Sequence, residues 1–178
     1  MTGKRPKQFT LREMLVLGFC ASFIVILRVV FRLHLHITGH AMFFTLFFLV
    51  MSKGAVPKPW SATVVGFLAG VMLIFLGMGK GGPLVIFKLL LPGVVVDLCG
   101  LFIPGVGMSY AATIATGAMA AASRFLSLMI VDRLVGMEWQ IILQHAAVAS
   151  FFNVLFGCLG AAMVPPVIRR LRRGGLIP

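Results

Sequence analysis

The stretch LREMLVLGFCASFIVILRVVFRL (residues 11–33) decides the fold class, because so long an apolar run is more than a soluble helix requires. About 20 predominantly apolar residues are enough for a helix to cross a bilayer. The whole chain is similar: 60% of its 178 residues are hydrophobic, 11% are charged, and the mean hydropathy is +1.08. Soluble domains contain about 25% charged residues. We therefore predict an all-α integral membrane protein.

The basic start of this first run resembles a signal peptide. However, Phe19 precedes Cys20, where a lipoprotein cleavage site would need a small residue, and the run continues well beyond the length of a signal core. We therefore expect it to remain in the protein as the first membrane helix.

Six apolar runs, separated by loops rich in glycine, proline and charge, predict a six-transmembrane-helix bundle that forms a single domain over residues 1–178. The spans cover residues 11–33, 37–52, 60–78, 83–103, 109–131 and 140–164, between basic tails at 1–10 and 165–178. An even number of spans puts both termini on one side, and their Lys and Arg residues indicate the cytoplasm. We therefore expect a multi-pass protein in the lipid bilayer of the cytoplasmic (inner) membrane.

Small residues spaced four apart predict close helix–helix contacts. The pairs are Gly66 with Gly70, Ala111 with Ala115, Ala118 with Ala122, and Gly157 with Ala161.

The formal net charge of +12 does not indicate a nucleic-acid-binding protein. Nucleic-acid binding needs a basic patch or stripe on a folded surface. Here the basic residues cluster in the two tails, which is typical of the cytoplasmic ends of membrane helices.

Several ionisable residues fall inside the predicted spans, where a charge costs at least ~2.5 kcal/mol on insertion scales. Such groups must face protein, water or a ligand. A rise of ~1.5 Å per residue places Arg28, Lys88, Arg124 and His145 at a similar depth, about 7–11 Å below the outer boundary. The outward loops add further polar groups to this layer, and we predict a polar cavity that opens to the outside. The candidate substrate-binding residues are Arg28, His36, His40, Lys80, Lys88, Arg124, Asp132, Trp139, Gln144 and His145.

Asp97 and Asn153 fall deeper, at a common level ~20 Å from the outer boundary, and form a predicted second polar pair. Simpler explanations stay open for individual residues: Arg28 can extend to the headgroups, and Asp97 can accept hydrogen bonds from Asn153. The excess of cations in the outer layer favours an anionic or carboxylate-bearing solute. Arg would hold it by paired hydrogen bonds, and Lys would act as a point charge.

Three histidines lie in RLHLHITGH (residues 32–40). On a helix, His36 and His40 would share a face at a spacing that can chelate a metal. No carboxylate or thiolate lies nearby in the sequence to complete a metal site. Hydrogen bonds to a ligand or to the membrane interface are the alternative role for these side chains.

No catalytic set of nucleophile and base stands out, and we expect neither enzymatic activity nor a cofactor. The glycine-rich GMGKGGP (residues 77–83) does not have the spacing of a phosphate-binding P-loop. Because no nucleotide-binding domain is evident either, any active uptake must draw its energy from a partner.

Six short spans, cytoplasmic termini and an outer polar cavity without an ATPase domain resemble the substrate-binding S component of energy-coupling factor (ECF) transporters. The resemblance covers nearly the whole chain. Its most suggestive local features are GMGKGGPLVIFKLLLPGVVVDL (residues 77–98) and the small residues Gly18, Ala21 and Ser22. In that family an A-x-x-x-A pattern on the first helix docks on a transmembrane coupling protein, and Gly18 and Ser22 have the same spacing.

The resemblance implies capture of a vitamin-like micronutrient from outside, with a coupling protein and two cytoplasmic ATPases as partners. A metal-specific branch of the family uses an N-terminal Met-His-Ile whose free amine is a ligand. The sequence LHITG (residues 35–39) is similar but internal. A nickel or cobalt uptake subunit that uses His34, His36 and His40 is one alternative. A six-span scaffold protein of cell-envelope machinery and a membrane enzyme are two others.

Overall fold

The computed structural model describes residues 9–34, 40–77, 84–103, 105–134, 136 and 139–175. Seven α-helices and no strand occupy these residues, which confirms the predicted all-α class. The helices are α1 (Leu11–His34), α2 (His40–Ala55), α3 (Ser61–Phe75), α4 (Val85–Phe102), α5 (Tyr110–Leu134), α6 (Trp139–Ala162) and α7 (Val164–Arg173).

Four helical stretches of the described chain are long and apolar enough to cross a bilayer. They are Leu11–Val30, Val85–Phe102, Tyr110–Ile130 and Ala146–Arg173. The apolar helices α2 and α3 are shorter. Large apolar side chains are widely exposed on the bundle, with Phe75 and Phe102 at 87% and 82% exposure. Apolar surface on this scale fits a hydrocarbon environment rather than water, so the chain is a helical membrane protein.

Both described ends of the chain meet at one end of the bundle. Arg12 Nη2, at the start of α1, donates to the carbonyl oxygen of Gly175 at 3.1 Å, just after α7. Lys58, in the connection between α2 and α3, pairs with Glu13 of α1 at the same end. We call this the terminal end and the opposite one the far end.

The short helix α2 lies at the centre of the bundle and packs against all six other helices. Leu46, Leu49 and Val50 are fully buried along it. α2 has 16 residues and α5 has 25, which corresponds to lengths of about 24 Å and 37 Å. Because α2 ends and α5 begins near the terminal end, the first residues of the shorter α2 do not reach the far end, where α5 ends.

The basic segment at 165–178, which we expected to be a tail, contains the helix α7. Pro165 and Pro166 occupy its first turn, where a helix does not need the amide hydrogen that proline lacks. Ile168 is buried, and Arg169 Nη2 donates to Met108 O at 3.1 Å in the connection between α4 and α5. Packing of its apolar side therefore holds this basic segment across the terminal end.

Close approach of helix backbones depends on glycine at two crossings. A Cβ on Gly66 of α3 would lie 2.6 Å from Leu89 O of α4. A Cβ on Gly160 of α6 would collide with Phe43 O of α2.

The small-residue prediction is confirmed for two of its four pairs. Gly66 and Gly70 contact α4, and Gly157 and Ala161 contact α5. The other two pairs lie on α5: Ala111 and Ala115 are both exposed, and of Ala118 and Ala122 the second is exposed.

Candidate functional site

A buried ionic cluster of Lys53 and Asp97 lies near the terminal end, where α2, α3 and α4 meet. Lys53 Nζ donates to Asp97 Oδ1 at 2.8 Å and to Lys58 O at 3.0 Å. Asp97 Oδ2 accepts hydrogen bonds from the Thr63 amide at 2.7 Å and from the Thr63 hydroxyl at 2.8 Å. Lys53 and Asp97 are only 7% and 4% exposed, so both charges are compensated inside the protein.

Asp97 acts as the cap of α3 from a neighbouring helix. The residue before α3, Trp60, makes no capping hydrogen bond through its side chain and has a left-handed backbone with φ of 69°. The first amides of a helix need acceptors, and its N-terminus favours a negative charge. The carboxylate of Asp97 supplies both at Thr63. A Cβ on Gly100, one turn further along α4, would collide with Lys53 Cε, so this glycine makes room for the lysine.

This arrangement differs from the expected one at Lys53. Lys53, which we expected in a loop, lies in the last turn of α2. The lysine can be buried there because Asp97 neutralises its charge. The described hydrogen bonds of Asp97 come from Lys53 and Thr63. The common level of Asp97 and Asn153 stays a prediction. Asn153 is buried on α6, which packs against α2 and α5. A lone acid in an apolar run signals that a cation must lie nearby, but it does not identify Lys53 as that cation.

Three candidate cations of the predicted outer layer have described side chains. Arg28 lies in the last two turns of α1, Lys88 in the first turn of α4, and Arg124 in the second half of α5. All three are partly buried. Arg28 and Lys88 both have interaction partners. The three residues therefore lie in the halves of their helices that are remote from the terminal end.

The other outer-layer candidates can be located only by their position in the chain. His36 and Lys80 lie outside the described residues, as do the side chains of the remaining five. Of these five, one begins α2, one lies near the end of α5, and three lie in the first two turns of α6: His40, Asp132, Trp139, Gln144 and His145. These helix positions belong to the far end.

Arg124 has an incomplete set of hydrogen-bond partners among the described residues. Its Nη1 lies 3.1 Å from Met42 Sδ, and its Nε is shielded from solvent without a hydrogen-bond partner among the described residues. A thioether is a weak acceptor. A buried donor that lacks an acceptor costs about 1–3 kcal/mol, and more when it is charged. Since Met42 is buried in the first turn of α2, Arg124 lies at the level where the central helix begins.

A metal site is not evident in the described part of the chain. No group of three or more His, Cys, Asp or Glu residues there is arranged to hold a metal ion. Because His36 lies outside the described residues, the chelate of His36 and His40 stays a prediction.

The three small residues of α1 that resemble a docking pattern, Gly18, Ala21 and Ser22, lie on two different faces of the helix. A Cβ on Gly18 would meet nothing within 4 Å, and the hydroxyl of Ser22 donates to Gly18 O at 2.9 Å. Ala21 is 1% exposed and points into the bundle. Gly18 and Ser22 therefore offer open surface, whereas Ala21 belongs to the core.

No family model matches the chain, and no curated protein and no solved structure is significantly similar to it. A function for this chain therefore has to be inferred from its own residues and their packing.

Proposed function

We propose that this protein is the membrane-embedded solute-binding subunit, or S component, of an ECF-type importer in the cytoplasmic membrane. It would span the membrane six times with both termini in the cytoplasm, the shorter helices α2 and α3 being two of the six spans. It would capture a vitamin-like, anionic or carboxylate-bearing micronutrient from outside. A transmembrane coupling protein and two cytoplasmic ATPases would supply the energy for uptake.

The observation that carries this proposal is the incomplete coordination of Arg124. A guanidinium carries five donors, whereas the described contacts of Arg124 include only one weak sulfur acceptor. An ionised group at membrane depth requires compensation. A carboxylate on a solute would supply it through two parallel, charge-assisted hydrogen bonds.

The helix lengths support a binding recess above the start of α2. α2 is about 13 Å shorter than α5 at the usual helical rise. Arg124 contacts Met42 at the start of α2, so its guanidinium would lie on the floor of this recess. The other predicted binding residues that belong to described helices lie toward the far ends of these helices, which would form the walls.

Energy coupling would use the open surface of α1. Gly18 and Ser22 leave room for another helix to approach closely, and such small-xxx-small surfaces are typical of helix contacts in membranes. This surface fits the docking pattern that the resemblance implies.

A substitution of Arg124 tests the binding site directly. Without solute, Arg124→Met should leave the melting temperature unchanged or higher, because an apolar side chain replaces an incompletely compensated charge. The variant should also lose the thermal stabilisation that a bound solute gives to the native protein. The measurement is thermal unfolding of the purified protein with and without biotin, pantothenate, nicotinate and other carboxylate-bearing vitamins.

Arg133→Gln, a substitution of an exposed arginine near the end of the same helix, is the matched control and should retain the stabilisation. Unchanged solute binding by Arg124→Met would refute the assignment of this residue. Native mass spectrometry of the gently extracted protein identifies the solute independently.

A scaffold protein of the cell envelope is the second candidate, and the cluster of Lys53 and Asp97 favours it. These two charges compensate each other within the bundle, so internal charges in this chain can serve packing alone. If Arg124 also served packing, Arg124→Met would lower the melting temperature without any solute present. Copurification also distinguishes the two candidates. An importer subunit should copurify with ATPases, and a scaffold protein should copurify with wall-synthesis proteins.

A further inference from the structure

Two arginines of α7 meet a single residue in the connection between α4 and α5. Arg169 Nη2 donates to Met108 O at 3.1 Å, and Arg172 Nη1 lies 3.2 Å from Met108 Sδ. Residues three apart on a helix are neighbours on its surface. We call Arg169 and Arg172 the α7 arginine pair. Their guanidinium groups are brought together around Met108 at the terminal end.

The connection that receives the α7 arginine pair has a defined conformation. The Gly107 amide donates to Thr113 Oγ1 at 2.9 Å, and the Thr113 hydroxyl donates to Ser109 O at 2.6 Å. Gly107 has a φ of 90°, and a Cβ on it would lie 2.8 Å from Gly54 Cα of α2. Only glycine is compatible with both constraints. The backbone of Met108 is therefore held in a fixed position against α7.

The α7 arginine pair has many more donors than its described contacts use. A guanidinium carries five N–H donors. Arg169 has one carbonyl acceptor, and Arg172 has one thioether, which is a weak acceptor. Arg172 Nε is shielded from solvent and has no hydrogen-bond partner among the described residues. The ring of Tyr110 lies 5.4 Å from Arg169 Cζ and supports its charge without using its N–H groups.

No described carboxylate forms an ion pair with the α7 arginine pair. The acidic residues described near the terminal end are Glu13 and Asp97, and each is paired with a lysine. Arg169 is exposed and Arg172 is partly exposed, so an anion can reach them from solvent. Two neighbouring positive charges repel each other, and a bound anion would replace this repulsion by attraction.

We propose that the α7 arginine pair binds a phosphate group at the terminal end of the bundle. A phosphate monoester carries about −1.5 to −2 charges at pH 7 and three strong acceptor oxygens. Arginine commonly binds phosphate through two parallel N–H···O bonds, which gives Arg172 Nε the acceptor that it lacks. The phosphate takes the place of the Met108 thioether, a flexible side chain that is 41% exposed.

The charge and shape of the ligand favour phosphate over carboxylate. A carboxylate has two oxygens and a single charge, so it matches one guanidinium rather than two. The phosphate can belong to a soluble phosphorylated molecule or to a phospholipid headgroup, because both present the same oxygens. The site depends neither on the captured solute nor on Arg124, which lies in the far half of α5.

Isothermal titration calorimetry of the full-length protein in an uncharged detergent tests the site, with inorganic phosphate as the probe. Arg172→Gln should bind phosphate about tenfold more weakly than the native protein, because a charged hydrogen-bond donor is lost. Arg170→Gln is the matched control. It removes the same charge from the same helix, at an exposed position about 160° around the axis from Arg172, and should bind as the native protein does. Equal weakening in both variants, or acetate binding as tight as phosphate binding, would overturn the proposal.

Native mass spectrometry distinguishes the two sources of the phosphate group. The protein is released from nanodiscs that contain equal amounts of phosphatidic acid and phosphatidylcholine. Preferential retention of phosphatidic acid that Arg172→Gln reduces and Arg170→Gln does not would identify a lipid headgroup as the source. Binding of inorganic phosphate without this preference would identify a soluble molecule. If the native protein bound neither inorganic phosphate nor phosphatidic acid, the proposal would be wrong.

Arg172→Lys separates paired hydrogen bonding from charge alone. Lysine keeps the positive charge but offers it as a point charge without the planar fork of donors. This variant should melt as the native protein does in detergent and still bind phosphate more weakly. Native affinity in Arg172→Lys would show that the site recognises charge only, and the paired contact at Arg172 would be refuted.

Discussion

At the residue scale, Lys53 and Asp97 show how this chain stabilises a charge inside a membrane bundle. The carboxylate has a cation on one oxygen and the first turn of α3 on the other. Removing one partner of a buried ion pair typically costs 3–5 kcal/mol, because the remaining charge is left uncompensated. The same energetics explain why Lys53 can end a helix in the interior although its sequence position is typical of a loop.

A double-mutant cycle tests this cluster. Asp97→Leu and Lys53→Met should each destabilise the protein by about 3 kcal/mol, and the double variant should be less destabilised than the sum of the two, because no unpaired charge remains. The measurement is equilibrium unfolding by denaturant in detergent. Strictly additive effects would mean that the two side chains do not depend on each other.

The partner of Asp97 could not be predicted from the sequence, whereas its need for a partner could. A single acid in a long apolar run is conspicuous on insertion energetics alone. Its neighbour in space is set by the rotation of each helix, and helices that are apolar on every side carry almost no sequence signal for that rotation. Arg124 is the same kind of case: its depth follows from its position, while its contact with Met42 depends on how α5 faces α2.

At the element scale, the helices pack through small residues that the sequence does reveal. Gly160 of α6 lies directly against the backbone of Phe43 of α2, and Gly18 of α1 has open space around it. The two positions differ in packing but not in residue type, so they form a matched pair for mutation.

Gly160→Ala should destabilise the protein by about 1–3 kcal/mol, since the added methyl group must push α6 away from α2. Gly18→Ala should be neutral or slightly stabilising, because alanine favours a helix by about 1 kcal/mol over glycine. Thermal unfolding of both variants in the same detergent measures the difference. Equal melting temperatures would show that α6 and α2 are not in backbone contact at Gly160.

Helix ends were predictable where glycine, proline or an uncompensated charge ends an apolar run, as at the start of α1 and at the end of α4. They were not predictable where tertiary contacts decide. α2 continues to Ala55 because Lys53 is neutralised, and α7 forms because Ile168 and Leu171 pack beneath a row of arginines. In sequence, that row has the composition of an unstructured basic tail.

At the scale of the whole molecule, the two ends of the bundle have different chemistry, and this difference predicts which way the protein faces in the membrane. The terminal end carries the arginines of α7, and the far end carries the predicted binding layer with Arg124 beneath it. The positive-inside rule predicts that the terminal end faces the cytoplasm, because basic residues are in excess there. Capture of a solute from outside then requires the far end to face outward.

Single cysteines in a variant whose native Cys20, Cys99 and Cys158 are replaced by alanine test this orientation. Leu134→Cys lies at the far end, and Ser109→Cys lies at the terminal end; both positions are exposed. In intact cells a membrane-impermeant maleimide should label the first and spare the second, and permeabilisation should make both reactive. The reverse pattern would put Arg124 in the cytoplasmic half and exclude uptake from outside. Labelling of both in intact cells would mean that α5 does not cross the membrane, so the two ends would not lie on opposite sides at all.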